Sequence, residues 1–164
     1  TLIGNTLTGN KGELGGAIYT VINQLEILNT IIWNNEDASG TGAVSSSIHD
    51  LNGGASINVA HSDIESSGGS NNWNSAIGQD FGSNFDADPV FYQAVDLMNL
   101  NSETGNLRLS ASSPLIDQAE THFFNDYSLS DGDLSGGSRV IGPAADIGAY
   151  ESNDLIYKNG FEMD

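Results

Sequence analysis

Three aspartates whose type and spacing suit a metal site lie between residues 125 and 139. Asp126, Asp131 and Asp133 fall within eight positions of a Gly- and Ser-rich stretch. Carboxylates this close repel one another unless water or a cation separates them. Ca²⁺ prefers such oxygen ligands, although the stretch lacks the spacing and the final Glu of an EF-hand loop. The sequence therefore predicts either a Ca²⁺ site or a loop of solvated acids.

A second pair of carboxylates, Asp86 and Asp88, stands in the segment DADPVF. Two acids in one turn provide part of the oxygen ligation that Ca²⁺ needs. In the alternative, Asp86 caps the turn and Pro89 fixes the direction in which the chain leaves it. Ca²⁺ is the only cofactor that these residues predict.

His61, Ser62 and Asp63 spell the letters of a nucleophile triad. Neighbouring residues of a strand point to opposite faces, so these side chains cannot relay a proton to one another. His49 and His122 have no metal-ligand spacing relative to His61. The sequence therefore predicts no catalytic residue in this chain.

Trp73 lies in the sequence GGSNNWNS and is the aromatic residue best placed to offer a flat surface to a sugar ring. In the alternative, its indole folds back over the open side of the core. The first interpretation predicts a polysaccharide or another cell-surface component as the partner.

The chain is strongly acidic, with 4 Lys and Arg residues against 22 Asp and Glu residues and a formal net charge of −18. Such a charge repels nucleic acid and anionic membranes, so neither is predicted as a partner. No apolar run is long enough to span a bilayer, and no Cys is present. Of the few cations, Arg139 is expected to pair with Asp146, and Arg108 to point outward from a strand.

An internal repeat determines the fold prediction. TLIGNTLTG from Thr1, LEILNTIIW from Leu25 and INVAHSDIE from Ile57 align without gaps, at spacings of 24 and 32 residues. The alignment places similar residues in columns: Ile3, Ile27 and Val59; Thr8, Ile32 and Ile64; Asn5, Asn29 and His61. Apolar residues alternate before each bend, which is typical of short strands. An Asn column at a bend is expected to form a ladder of amides.

These columns predict an all-β chain, folded as a right-handed parallel β-helix of a few coils with an irregular C-terminal cap. A second strand column is expected to join residues 17–21 with residues 43–47. The alternative is an antiparallel sandwich, which also has short strands at regular spacing but no reason to repeat residues in register.

The predicted boundaries are coils with loop insertions over residues 1–110, a cap over 111–151 and a tail over 152–164. One further ragged coil is expected through residues 97–109. Because the first residues already lie within the pattern, we expect the chain to be part of a longer protein. An open first coil would let copies associate by strand addition.

Several segments resemble a known group of proteins. EILNTIIWNN from Glu26 and HSDIES from His61 are similar to coils of pectate-lyase-like and polymorphic-outer-membrane-protein-like β-helices. DADPVF, NLRLSASSPLIDQA from Asn106 and DIGAYE from Asp146 resemble the C-terminal end of large bacterial surface and secreted β-helix proteins. The resemblance implies an extracellular or cell-surface location and names no reaction.

Three classes of function follow. The resemblance favours a non-catalytic structural or adhesive C-terminal module. The first alternative is a fragment of a polysaccharide lyase or hydrolase, although no Lys or Arg stands in a lyase motif and no Asp cluster matches the hydrolases of this fold. The second alternative is a self-assembling filament subunit.

Overall fold

The computed structural model describes residues 1–21, 24–51, 57–98, 105–127, 129 and 131–152. This part of the chain consists mainly of short strands, with two helices of four and five residues. None of its helices has the length and apolarity needed to cross a membrane. The predicted all-β class is confirmed at this level, and several of the sheets are parallel.

The described elements follow the chain in three successive units and a C-terminal segment. The first unit (residues 1–21) contains β1 Leu2–Ile3, β2 Thr6–Thr8 and β3 Ile18–Thr20. The second (24–51) contains β4 Leu25–Leu28, β5 Ile31–Trp33, β6 Glu36–Asp37, β7 Gly40–Thr41, α1 Val44–Ser47 and β8 Ile48–Asp50. The third (57–85) contains β9 Ile57–Ala60, β10 Asp63–Ile64 and β11 Gln79–Asp80. The C-terminal part contains β12 Phe91–Gln93, β13 Asn106–Leu109 and α2 His122–Asp126.

Corresponding strands of the three units pair in parallel. One sheet has the order β1-β4-β9-β11, a second has the order β10-β5-β2, and β3 pairs with β8. Ile27 lies between Leu2 and Val59, and Ile32 lies between Leu7 and Ile64. Parallel pairing requires a crossover between paired strands, so each unit runs through both large sheets. The third unit then returns to the first sheet, where β11 pairs with β9.

The register between the first two units differs from the predicted one. Bonded positions of these units are 25 residues apart, not 24, whereas the second spacing of 32 is confirmed. Gly4, Asn29 and His61 therefore share the bend column, with φ angles of 61°, 49° and 47°. Stacking aligns backbone conformations rather than identical letters, and Gly adopts positive φ as readily as Asn. Matching Asn5 to Asn29 was wrong for this reason.

The ladder at this bend is built by the residue after the column, not by Asn29. The N–H of Asn5 donates to Thr30 Oγ1, the N–H of Thr30 to Ser62 Oγ, and the N–H of Ser62 to Asn84 Oδ1, over 3.3, 3.1 and 3.0 Å. Thr30 and Ser62 also donate their hydroxyl protons to carbonyls two residues back. These side chains thereby give hydrogen-bond partners to backbone N–H and C=O groups at the bend, where strand pairing does not supply them.

Replacing Ser62 with Ala is expected to lower the free energy of unfolding by about 1–3 kcal/mol, because the buried N–H of Thr30 loses its acceptor. Urea unfolding measures this loss. The matched control is Ser75→Ala at an exposed position, which should change stability by less than about 0.5 kcal/mol. Equal effects of the two substitutions would show that the ladder contributes nothing.

Two apolar clusters lie on opposite sides of the stacked strands. The inner cluster lies between the sheets and includes Ile27, Ile32, Val59 and Ile64. The outer cluster joins Ile31 to residues of the C-terminal segment, among them Leu109, Leu115, Phe124 and Ile147. Because successive strand residues face opposite sides, β5 supplies both clusters through neighbouring isoleucines.

Two expected strand pairings are not formed. Residues 44–47 form α1, and β3 pairs instead with the following strand β8. The N–H and hydroxyl of Ser46 both donate to Ala43 O, a local bond that competes with strand pairing. Residues 106–109 pair antiparallel with β12, whereas a further coil would need parallel pairing. The predicted tail, apart from Ser152, lies outside the described residues.

Candidate functional site along the C-terminal segment

The C-terminal segment, residues 105–152, lies against the side of the stacked units. Asn29 at the bend donates its amide proton to Glu120 O (2.9 Å) and accepts from Glu120 N (2.8 Å). Gly148 N donates to Asn29 O, and Ala149 N donates to Thr6 Oγ1 over 3.0 Å. The segment predicted as a cap is therefore bonded to the first and second units laterally.

The DIGAYE sequence provides the anchor of this segment. Asp146 accepts from the backbone N–H groups of Asp117 (2.8 Å) and Ser152 (2.6 Å). Glu151 accepts from those of Ile141 (2.9 Å) and Asp146 (3.0 Å). Both carboxyl groups are almost fully buried. The two acids thus tie four separate backbone positions together.

Arg139 lies beside these acids but does not form the predicted ion pair. Among the described residues its guanidinium has no carboxylate oxygen at salt-bridge distance. It donates instead to the carbonyl groups of Gly148 and Asp146, and it lies 4.5 Å from the centre of the Phe124 ring. Arg139 therefore stabilises the anchor through the backbone and through longer-range attraction to Asp133, Asp146 and Glu151.

Burial dominates the titration of the anchor. It raises the pKa of the Glu151 carboxyl to about 7, and the charge of Asp146 adds to this rise while two backbone hydrogen bonds and Arg139 oppose it. Burial also raises the pKa of Asp146 and lowers the pKa of Arg139. Near neutral pH, Glu151 of the anchor is therefore protonated more often in the folded chain than in the unfolded chain.

The free energy of unfolding is expected to fall as the pH rises from about 4.5 to about 7. In this window the folded chain, with the Glu151 pKa near 7, binds more protons than the unfolded chain, whose Glu titrates near 4.5. Burial raises the pKa values of Asp63 and Asp146 as well, which acts in the same direction. Urea unfolding at several pH values tests this slope. The slope should become shallower in Glu151→Gln, and an unchanged slope would exclude Glu151 as its source.

The three acids predicted as a calcium loop have different surroundings. Asp133 is buried and accepts four hydrogen bonds, from Ser135 N and Oγ, Gly137 N and Glu151 N. Burial alone raises the pKa of Asp133, but these bonds lower it overall. Asp126 and Asp131 are exposed, and Asp126 lies 3.9 Å from His122 Nε2. The described part of the chain contains no group of three acidic, His or Cys residues that could hold a metal ion.

Asp88 bonds the backbone of its own turn, whereas Asp86 bonds the turn at residues 66–68. Asp86 accepts from Ser66 N (3.0 Å) and Gly68 N (2.8 Å), and Asp88 accepts from Val90 N (2.9 Å). Asp86 therefore caps a turn, but one that lies 18 to 20 residues before it and not the DADP turn named in the alternative. Nearby Asp63 is fully buried, and only its Oδ1 has a hydrogen-bond partner, the N–H of Ala87. Burial raises the pKa of Asp63 well above its usual range.

Trp73 packs against the inner cluster and is partly buried. Its indole N–H donates to Gly78 O over 2.8 Å, and the adjoining Ile77 is fully buried in the same cluster. This matches the alternative in which the ring covers the core.

The outward direction expected for Arg108 agrees with its exposure, and its guanidinium lies 5.0 Å from the Tyr150 ring centre.

A groove of about 670 Å³ separates the third unit from the C-terminal segment. One side is formed by residues 68–71 and 83–87 with His61, and the other by residues 117–119. Sequence reasoning did not find this site, because its two sides are at least 30 positions apart and share no motif. Two of its residues were singled out from the sequence: Asp86 as a metal ligand or a turn cap, and His61 as a residue of the bend column.

The chain matches no protein-family model, no curated protein and no solved structure.

Proposed function

We propose that the three units are successive coils of a right-handed parallel β-helix. The parallel registers, the two spacings and the column of positive φ angles support this architecture. A second column has the same property: Gly9, Asn34 and Ser66 have φ angles of 71°, 53° and 65°. The right-handed sense rests on the strong preference of parallel strand crossovers for that hand.

We propose further that the chain is a non-catalytic structural or adhesive module of an extracellular or cell-surface protein. The observation that carries this proposal is the side attachment of the C-terminal segment, which binds the first and second units through Thr6 and Asn29. Such an attachment fixes the coils relative to one another. This rigidity suits a structural module, or one that presents a binding surface. The strongly acidic charge keeps the surface apart from anionic lipids and nucleic acid.

Immobilised polysaccharides test this function. The protein is passed over neutral and acidic polysaccharide resins, and the same polysaccharides are assayed for new reducing or unsaturated ends. Retention without new ends supports an adhesive module. New ends would establish the enzyme alternative, and neither retention nor new ends would remove polysaccharides as the partner.

Ca²⁺ at Asp86, Asp88, Asp126, Asp131 or Asp133 remains a proposal, and a thermal melt decides it. A rise in Tm with Ca²⁺ that Mg²⁺ does not reproduce and that EDTA reverses would establish a site. Because Asp86 and Asp133 already accept hydrogen bonds, we expect no Ca²⁺-specific rise in Tm.

Self-association is a second candidate, favoured by the edge of the first unit. β1 and β2 are edge strands of their sheets, and Leu2, Leu7 and Ile18 are only partly buried although they pack on the inner cluster. Unpaired strand edges of this kind accept further strands. Analytical ultracentrifugation over a wide concentration range distinguishes a monomer from a growing assembly.

A further inference from the structure

The groove beside the third unit presents polar groups whose positions are fixed before any ligand arrives. Asp86 is held by the two backbone N–H groups of Ser66 and Gly68. The ring of His61 has its Nδ1 3.4 Å from Gln118 O, and its centre lies 5.9 Å from that of Phe123 in an edge-on contact. Binding sites gain affinity when their groups are oriented in advance, because less freedom is lost on binding.

The chemistry of the lining selects one class of ligand. The groove offers carboxylates from Asp86 and Asp117, amides from Asn71 and Gln118, and the imidazole of His61. None of the described residues that line it is Lys or Arg, so no fixed cation offsets the repulsion of an anionic ligand by Asp86 and Asp117. Each side carries a carboxylate and an amide, which suits hydroxyl groups because each hydroxyl donates and accepts.

We propose that this groove binds a neutral, hydroxyl-rich ligand, namely an uncharged oligosaccharide segment. This inference rests on the proposed adhesive function and names its ligand class. The volume of about 670 Å³ lies within the range of sites that enclose small ligands. Selectivity arises from charge: an acidic sugar would place its carboxylates beside Asp86 and Asp117.

Calorimetric titration of the whole chain with uncharged oligosaccharides tests the proposal. Maltose-, cellobiose-, xylose- and mannose-based oligomers are the probes, and oligogalacturonate is the anionic comparison. Gln118→Ala and Asn71→Ala remove exposed amides from the two sides of the groove, so each should weaken binding about three- to tenfold. The control Asn125→Ala removes an exposed amide from α2, outside the groove, and should leave the affinity unchanged.

The outcomes separate this proposal from the adhesive function. Binding of an uncharged oligomer that both groove variants weaken, with no binding of oligogalacturonate, supports the groove. Binding that neither variant weakens would place the sugar elsewhere and overturn the groove while adhesion stands. Absence of binding to every uncharged oligomer, with retention on an acidic resin, would overturn the ligand class. Absence of any retention would remove polysaccharides as the partner of the adhesive module, and the groove proposal with them.

Discussion

Replacing Gly148 with Ala is expected to lower the free energy of unfolding by about 2–5 kcal/mol. A Cβ atom at this position would lie 2.7 Å from Ile31 Cδ1 and 2.8 Å from Thr6 Oγ1. Overpacking of this kind costs about 1–3 kcal/mol. The φ angle of 106° adds a backbone cost of about 1–2 kcal/mol for a residue with a side chain. Urea unfolding measures the sum.

Gly82→Ala is the matched control for this substitution. Gly82 has a φ angle of 105°, almost the same as that of Gly148, but a Cβ there would meet nothing within 4 Å. Only the backbone cost of about 1–2 kcal/mol is expected. The difference between the two variants therefore measures the close approach of the C-terminal segment to the stacked units. If both lose the same stability, that approach is not a tight contact in solution.

Replacing Ile31 with Ala is expected to lower the free energy of unfolding by about 2–5 kcal/mol. Ile31 is fully buried and packs in the outer cluster between β5 and the C-terminal segment. Its loss leaves a cavity at this contact, so the segment should open more often than the stacked units do. Hydrogen exchange measures the opening through the N–H groups of Ala119 and Ile147, which donate to Ala145 and Leu115.

Ile32→Ala removes the same volume from the inner cluster and is the comparison for Ile31→Ala. It should lower the protection of amides in the stacked units as well as in the C-terminal segment, since the inner core supports both. Ile31→Ala should lower protection in the segment first. Identical exchange patterns would mean that the segment and the units unfold only together.

The sequence predicts the pairing of the second and third units because their residues match in type as well as in backbone conformation. Asn29 and His61 both occupy the bend at positive φ, and Ile32 stacks on Ile64. In the first unit Gly4 takes the bend position. Gly satisfies the backbone requirement without resembling Asn, so an alignment of letters shifts by one residue.

The acidic residues illustrate a second limit of sequence reasoning. Spacing shows where carboxylates are close along the chain, but not which backbone N–H groups occupy their oxygens. Asp133 and Asp86 already accept hydrogen bonds from backbone N–H groups of turns. The anchor of Asp146 and Glu151 was visible only as the motif DIGAYE, since its partners Asp117 and Ile141 lie in separate loops.

The bond between Ala149 and Thr6 joins positions 143 residues apart, and that between Asn29 and Glu120 spans 91 residues. Contacts between distant positions form late and slow the folding of a chain. During synthesis, β2 gains its hydrogen bond with Ala149 only after residue 149 has been made. The first and second units are therefore completed only after the C-terminal segment has been made.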